Sequence, residues 1–274
     1  VRKERIRSEA MIKVLVPVEA DLASSIALRY ACQIAKLIET EILTINVRAA
    51  SSEEYPVGTG WVRHTWEKTM LREAEDDVRQ LIRAERANCP TLGEPMVVLG
   101  DRDDEILKEI QSGSYGLFLE GTIPTFSSSY FTKRLQSHLY QSMPCPIIMV
   151  KNLMPLTRAL LVMSDGVDGR RLIQTFTETF KKAVLPIDLF YLKFQEKENG
   201  GPEKEKLKGA MDLLQEQGWK AEKSDVLYGR PHELAERLEE YGLLATVLGR
   251  SLKKGSPFQE FLVATLSPIL LFWQ

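Results

Sequence analysis

The sequence predicts an α/β protein in which one doubly wound parallel unit occurs twice along the chain. Three observations carry this. A proline opens a short continuous apolar run at 144–150 (PCPIIMV), and a worn copy of it, 267–273 (SPILLFW), closes the chain. Such runs read as strands buried on both faces. Strand and helix patterns alternate between them, as in an open parallel sheet. The landmarks of the first half then recur in the same order in the second.

In the first copy, residues 11–19 (MIKVLVPVE) read as a buried strand ending in a carboxylate. Asp21, Ser24 and Ser25 offer capping groups to a helix whose apolar positions Ile26, Tyr30, Ile34, Leu37 and Ile38 recur at helical spacing. Residues 41–47 form the next strand, and a strand, helix and strand this close together predict a right-handed parallel crossover. Residues 51–65 (SSEEYPVGTGWVRHT) are rich in turn formers and read as a long loop. The loop carries Tyr55 and Trp61 and leads to Trp66; its aromatics either pin it to the first domain or meet a partner. An amphipathic helix follows over 66–86, then a strand at 94–100 and a short helix at 103–111. The acids at 101–105 suit the positive end of that helix. A strand at 115–121, a helix at 131–142 and the strand at 144–150 complete the copy.

In the second copy, 158–165 (RALLVMSD) matches the opening strand, carboxylate included, and 187–194 matches the second strand. The polar stretch 195–202 is a shorter loop, with a helix over 203–217 behind it. Residues 226–229, 231–240 and 241–249 echo the later strand, helix and strand of the first copy. The boundary falls near 151–157, giving domains 1–152 and 153–274. A chain of 274 residues suffices for two separate cores.

Composition excludes several classes. A net charge of −2 provides no basic field for nucleic acid. No apolar run approaches the about 18 to 20 residues of a membrane span, and the mixed charges of 1–7 are not a secretory signal. Cys32, Cys89 and Cys145 are odd in number and widely spaced, so neither a disulfide framework nor a zinc site is expected, and a reducing cytoplasm is the default. His64, His138 and His232 have no metal-binding spacing and read as surface or capping residues. No nucleophile elbow, Walker loop or Cys-His pairing occurs, so no catalytic residue is assigned.

The opening strands VLVPVE and LLVMSD, the glycine turn before a short helix and the closing PCPIIMV resemble the universal stress protein family, in a tandem form covering nearly all of 11–273. The resemblance implies two five-stranded parallel sheets, of the adenine nucleotide alpha hydrolase-like type, packed as a pseudo-dimer through their last strands. Burying the terminal 270–273 (LLFW) favours such a partner independently, at about 1.5 to 3 kcal/mol per large side chain.

Many members of that family bind ATP at the carboxyl ends of the strands, using a carboxylate after the first strand and glycines after the fourth, then a Gly-Ser or Gly-Thr pair at a helix start. Glycines admit the phosphates, and the helix start supplies amide donors. In the first copy Glu19 and Gly121 keep two of these places, but Pro124 and then Lys133-Arg134 stand where the others belong, so this site is expected to be degenerate. Lys133, Arg134 and the hydroxyls of 127–129 offer another way to hold an anion. In the second copy Asp165, Gly249, Gly255 and Ser256 keep the pattern better, although only 250–254 (RSLKK) separates the glycines and Pro257 follows at once. Proline in a first helical turn leaves that helix start intact. Lys253-Lys254 also suits an acidic metabolite.

The resulting expectation is a non-catalytic, cytoplasmic regulatory or protein-interaction molecule with degenerate nucleotide sites and no resident cofactor or metal. The alternatives are an ATP- or AMP-binding switch or slow ATPase working through the second site, and the regulatory part of a membrane transporter. The protein partner is open, as is a homodimer; nucleic acid and membrane insertion are not expected.

Overall fold

The computed structural model describes residues 11–49, 61–87, 89, 92–122, 128–194, 201–249 and 255–273, with the backbone alone at 61–64, 66–67 and 128. The first half runs β1 (Ile12–Pro17), α1 (Leu22–Ala35), β2 (Thr40–Arg48), α2 (Trp61–Arg86), β3 (Met96–Leu99), α3 (Arg102–Gly113), β4 (Leu117–Gly121), α4 (Ser128–Leu135), α5 (His138–Gln141) and β5 (Ile147–Val150). The second half runs β6 (Ala159–Met163), α6 (Gly169–Thr179), β7 (Ile187–Lys193), α7 (Glu203–Glu216), β8 (Ala221–Tyr228), α8 (Pro231–Arg237), β9 (Leu243–Leu248), α9 (Pro257–Ala264) and β10 (Ile269–Trp273).

The strands form one sheet in the order β3-β2-β1-β4-β5-β10-β9-β6-β7-β8. Every pairing within a half is parallel. The halves meet where β10 runs antiparallel to β5, Leu270 opposite Ile148, so the two last strands join the half-sheets as the resemblance implied. Leaving either strand as an open apolar edge would expose unpaired amides and carbonyls. Each face of the sheet carries a core that continues across the seam, one including Leu119, Ile148, Leu270 and Val247, the other Ile147, Met149, Leu271 and Leu244.

Side chains at matching places also lock the halves. Lys151 and Trp273 each stand five residues after the proline of their closing segment. Trp273 Nε1–H donates to the Tyr140 carbonyl in α5 at 2.6 Å. Lys151 Nζ donates to the carbonyls of Leu262, Thr265 and Val263, at and just beyond the end of α9, at 2.5, 3.0 and 3.2 Å. Helix ends leave carbonyls without partners, and Lys151 serves that need across the seam, whereas the Tyr140 carbonyl also accepts from the Met143 amide. The linker is pinned by Gln33, which donates to the Met154 carbonyl and accepts from the Leu156 amide.

Local sequence accounts for the element starts. Asp21 caps α1 by accepting from Ser24 N at 2.8 Å, and Asp101 caps α3 by accepting from Asp103 N and Asp104 N. The acid-rich stretch at 101–105 is thus a helix start. Four boundaries differ from expectation. Helix α2 begins at Trp61, directly after the last glycine of the turn-rich segment, so residues 61–65 are helical and not loop. The helix expected over 131–142 is two, because Ser137 is extended and caps α5. Helix α6 was not read from the sequence, although Asp168 caps it and Leu172, Ile173 and Phe176 bury one face. Strand β8 begins at Ala221, five residues before the expected 226, because this sheet edge carries exposed Glu222, Lys223, Ser224 and Asp225 and shows no apolar run.

One chemical expectation is overturned. Cys32 in α1 is joined by a disulfide to Cys89, just past α2, with 5.7 Å between their Cα atoms, inside the usual window. Sequence spacing hid the pair because the packing of α1 on α2 closes a separation of 57 residues. The same packing brings Glu85, buried in α2, to Ser25 and Arg29 of α1. The inference of a reducing compartment, which rested on unpaired cysteines, loses that support. Cys145 is the free, buried cysteine, and burial pushes its thiol up to about 12.

Candidate functional site

In an open parallel sheet, ligands bind outside the carboxyl ends of the strands. In the first half that end opens into a cleft of about 540 Å³ lined by Glu19, Asp21, Arg102, Glu120, Lys133 and Arg134, among others. Glu19 follows β1 and Gly121 ends β4, so the structure brings these two expected residues together. Gly121 has a packing role: a Cβ there would lie 2.0 Å from the Ala23 carbonyl of α1.

The rest of the first cleft is filled by an ion-pair cluster. Glu120, 5% exposed, accepts from Arg134 at 2.7 and 3.0 Å, from Arg102 at 2.7 Å and from the Tyr140 hydroxyl at 2.5 Å. Arg134 also binds both oxygens of Asp103, and its guanidinium lies over the Tyr140 ring. Arg102 reaches Glu19 at 3.3 Å. Burial alone would push the Glu120 carboxyl up; Arg134, Arg102 and the Tyr140 hydroxyl more than offset it and hold the carboxyl below its usual range. The guanidinium that stands in place of the Gly-Ser pair is therefore committed to the protein's own carboxylates. Lys133 lines the cleft with an exposed side chain. Pro124 and Ser127 lie outside the described residues, as does the side chain of Ser128.

A second chamber, about 450 Å³, adjoins the first and shares Glu19, Asp21 and Arg102 with it. It lies between the ends of β1 and β2 and helix α2, which contributes Ala74, Asp77 and Val78.

In the second half, Asp165 follows β6 and Gly249 follows β9; these strands are neighbours. Gly255 and Ser256 open α9, which returns from β9 to β10 and so begins at the same edge of the sheet. The four predicted residues thus share the carboxyl end, but their polar groups are largely engaged. Asp165, with a side chain 64% exposed, accepts from the Tyr191 hydroxyl at 2.7 Å and from Lys193 at 2.9 Å. Lys193 also pairs with Glu203 at 2.8 Å. Burial raises the Asp165 carboxyl, and Lys193 and Tyr191 more than offset it, so it lies below its usual range. Ser256 Oγ caps α9 by accepting from Gln259 N at 3.3 Å. The Gly255 amide donates to Gln259 Oε1 at 2.7 Å. Pro257 occupies the first turn, where it is tolerated. Phe194, just past β7, packs on Phe258 and Phe261 and ties that strand end to α9. Residues 250–254, with Lys253 and Lys254, lie outside the described residues.

Sequence reading missed Arg102, Glu120, Tyr140 and Lys193. Glu120 left a signal, a carboxylate at the end of the buried run 117–120 (LFLE). Its partners come from α3, α4 and α5, which no local pattern connects. His138 and His232 are exposed, as surface residues should be, and the side chain of His64 lies outside the described residues. Among the described residues no group of three or more metal-ligating side chains occurs, and no helix is long and apolar enough to cross a membrane.

Parallel half-sheets covered on both faces, repeated and joined through their last strands, define a tandem α/β fold with its clefts at the strand ends. Solved structures share it. A universal stress protein from Archaeoglobus fulgidus DSM 4304 is 17% identical over 96% of both chains, with a TM-score of 0.67. A putative universal stress protein from Pseudomonas aeruginosa UCBPP-PA14 is 15% identical over 96% of this chain and 94% of its own, with a TM-score of 0.57. A protein of unknown function from Pseudomonas aeruginosa PAO1 gives the same identity and score over 96% and 93%. No protein-family model matches the chain, and no curated protein matches it. The chain has the fold of the tandem universal stress proteins.

Proposed function

We propose that this protein is a non-catalytic regulatory molecule that acts through protein contacts and whose two strand-end sites do not take nucleotide. The observation that carries this is Glu120: the first cleft already holds a carboxylate in a clamp of Arg102, Arg134 and Tyr140. A triphosphate entering there would meet a buried negative charge and guanidinium groups already paired. At the α9 start of the second half the Gly255 amide donates to the Gln259 side chain and the Gln259 amide to Ser256 Oγ, which reduces the donors left for phosphate.

The second reading is an ATP- or AMP-responsive switch or slow ATPase using Asp165, Gly249, Gly255 and Ser256. The intact α9 start favours it, because a capped helix N-terminus still presents amides to an anion. Calorimetric titration of Mg-ATP into the protein and into Ser256→Trp separates the two. Absence of heat at millimolar ATP is the expected result. Micromolar binding abolished by Ser256→Trp overturns the leading reading and establishes the switch.

A further inference from the structure

We infer that one edge of the ten-stranded sheet docks an extended segment of a partner protein in which acidic residues stand near bulky apolar ones. The inference gives a surface and a partner chemistry to the protein contacts proposed above, and rests on that reading.

The antiparallel seam decides which strand ends lie together. Because β5 and β10 run in opposite directions, the carboxyl ends of the first half's strands share an edge with the amino ends of the second half's. Of seven large apolar side chains exposed among the described residues, five sit at that edge. Leu22 begins α1 after β1, Tyr130 follows β4 and Leu153 follows β5, while Leu266 precedes β10 and Val184 precedes β7. Met11, at the opposite edge, and Met211, within α7, are the other two. Three of the five gather around Lys151. Its Nζ lies 4.8 Å from the centroid of the Phe131 ring, next in sequence to Tyr130, and binds the carbonyl of Thr265, next to Leu266. Leu153 follows Lys151 by two residues. Single exposed apolar residues are ordinary, whereas a set gathered across a seam marks a contact surface.

Farther along the same edge the surface hollows into a groove of about 750 Å³ between the ends of α6 and α7 and the starts of β7 and β8. Trp219, set edge-on against Phe176 with ring centroids 5.5 Å apart, and buried Leu185 give it an apolar wall. Val184 lines it while 91% exposed. Lys181, Lys182 and Lys220 line it as well. Its carboxylates are Glu178 and Glu222, and Glu222 is bound by Arg158. Three lysines against one remaining carboxylate select an acidic occupant. Length selects a peptide. From Tyr130 to Val184 the edge crosses five strand spacings, about 24 Å, more than a small metabolite covers and the reach of about seven extended residues. From Leu266 to Val184 it crosses three, about 14 Å, so acids about four residues from an apolar anchor reach the lysines. A flat bilayer surface does not enter a groove.

The test selects binders to the full chain from a displayed library of random dodecapeptides and measures the enriched peptide by fluorescence anisotropy. Sequences that place acids about four positions from large apolar residues are expected. Lys220→Glu, Val184→Asp and Leu266→Asp change exposed side chains and so leave the fold intact. Each should weaken the peptide about tenfold or more, and affinity should fall as salt rises. No enrichment, enrichment of basic sequences, or affinity within about twofold of wild type in all three variants overturns the site. Binding to phosphatidylserine vesicles in place of peptides, lost in the same variants, overturns it in favour of a membrane surface. Self-association lost in those variants overturns it in favour of a second copy. Mg-ATP titration judges the preceding reading separately: ATP binding beside peptide binding sinks that reading alone, and the absence of both sinks this one alone.

Discussion

In the first half Glu120 of β4 is buried and held by Arg102, Arg134 and Tyr140; at the matching register of the second half, where β9 faces β10 as β4 faces β5, stands buried Thr246, whose hydroxyl donates to the Val162 carbonyl. Near the same edge of the second half, Lys193 joins Asp165 to Glu203. The same place in the same fold therefore holds a charge in one half and a neutral hydroxyl in the other. The difference teaches what each substitution demanded. A carboxylate inside a sheet is stable only with partners, so Glu120 required Arg102 and Arg134 to turn inward and occupy the cleft. A threonine makes no such demand, because a carbonyl of the neighbouring strand β6 satisfies its hydroxyl.

The largest effect should come from breaking the buried cluster. Glu120→Ala takes from Arg102, Arg134 and the Tyr140 hydroxyl the carboxylate they share, leaving the guanidinium groups only Asp103 and Glu19, and should cost about 3 to 5 kcal/mol, read by urea denaturation. A loss below about 1 kcal/mol would mean that the cluster is no more than a surface network and would erase the contrast with the second half. Next comes the disulfide of the first half. Reduction, or Cys32→Ser, should lower stability by about 2 to 4 kcal/mol, with hydrogen exchange rising first in α1 and α2. Uniform exchange in both halves would count against a local clasp.

The seam offers the third test. Burial pushes the Lys151 amine down to about 7. Its folded value then lies below the unfolded value of about 10.4, so the unfolded chain binds the extra proton between the two. Stability should rise as pH climbs through this window, by at most about 1.4 kcal/mol per unit, and the rise should vanish in Lys151→Met. A wild-type profile identical to that of Lys151→Met would show that the three carbonyls keep the amine charged. On the opposite side, Trp273→Phe removes one hydrogen bond to Tyr140 and should cost about 1 kcal/mol, with no pH dependence in that window. The smallest effect belongs to the exposed Asp165: Asp165→Asn should shift stability by less than about 1 kcal/mol, in thermal melts run beside Glu120→Ala. A larger loss would place Asp165 on a par with Glu120.

Much of the fold was legible because it is written locally. Proline before an apolar run marked β5 and β10, Asp21 and Ser256 marked helix starts, and the repeat marked two copies. Elements without an apolar run were harder. Edge strand β8 has a polar exposed centre and gave only its last residues. The candidate site was legible as position and not as chemistry. Glu19, Gly121, Asp165 and Ser256 stand at the strand ends where the pattern placed them, yet their polar contacts, and the packing role of Gly121, come from residues on other elements.

The sequence by itself determined most strands and helices and their order, because burial periodicity and caps depend on neighbours a few residues apart; the pairing of the two closing strands was implied by the family resemblance and is a tertiary contact. Only the tertiary structure decided that Cys32 meets Cys89, that Arg134 turns onto Glu120 and that Lys151 reaches the end of α9. Each of these depends on where two distant elements come together, and a side chain's protonation, pairing and burial are set there rather than along the chain.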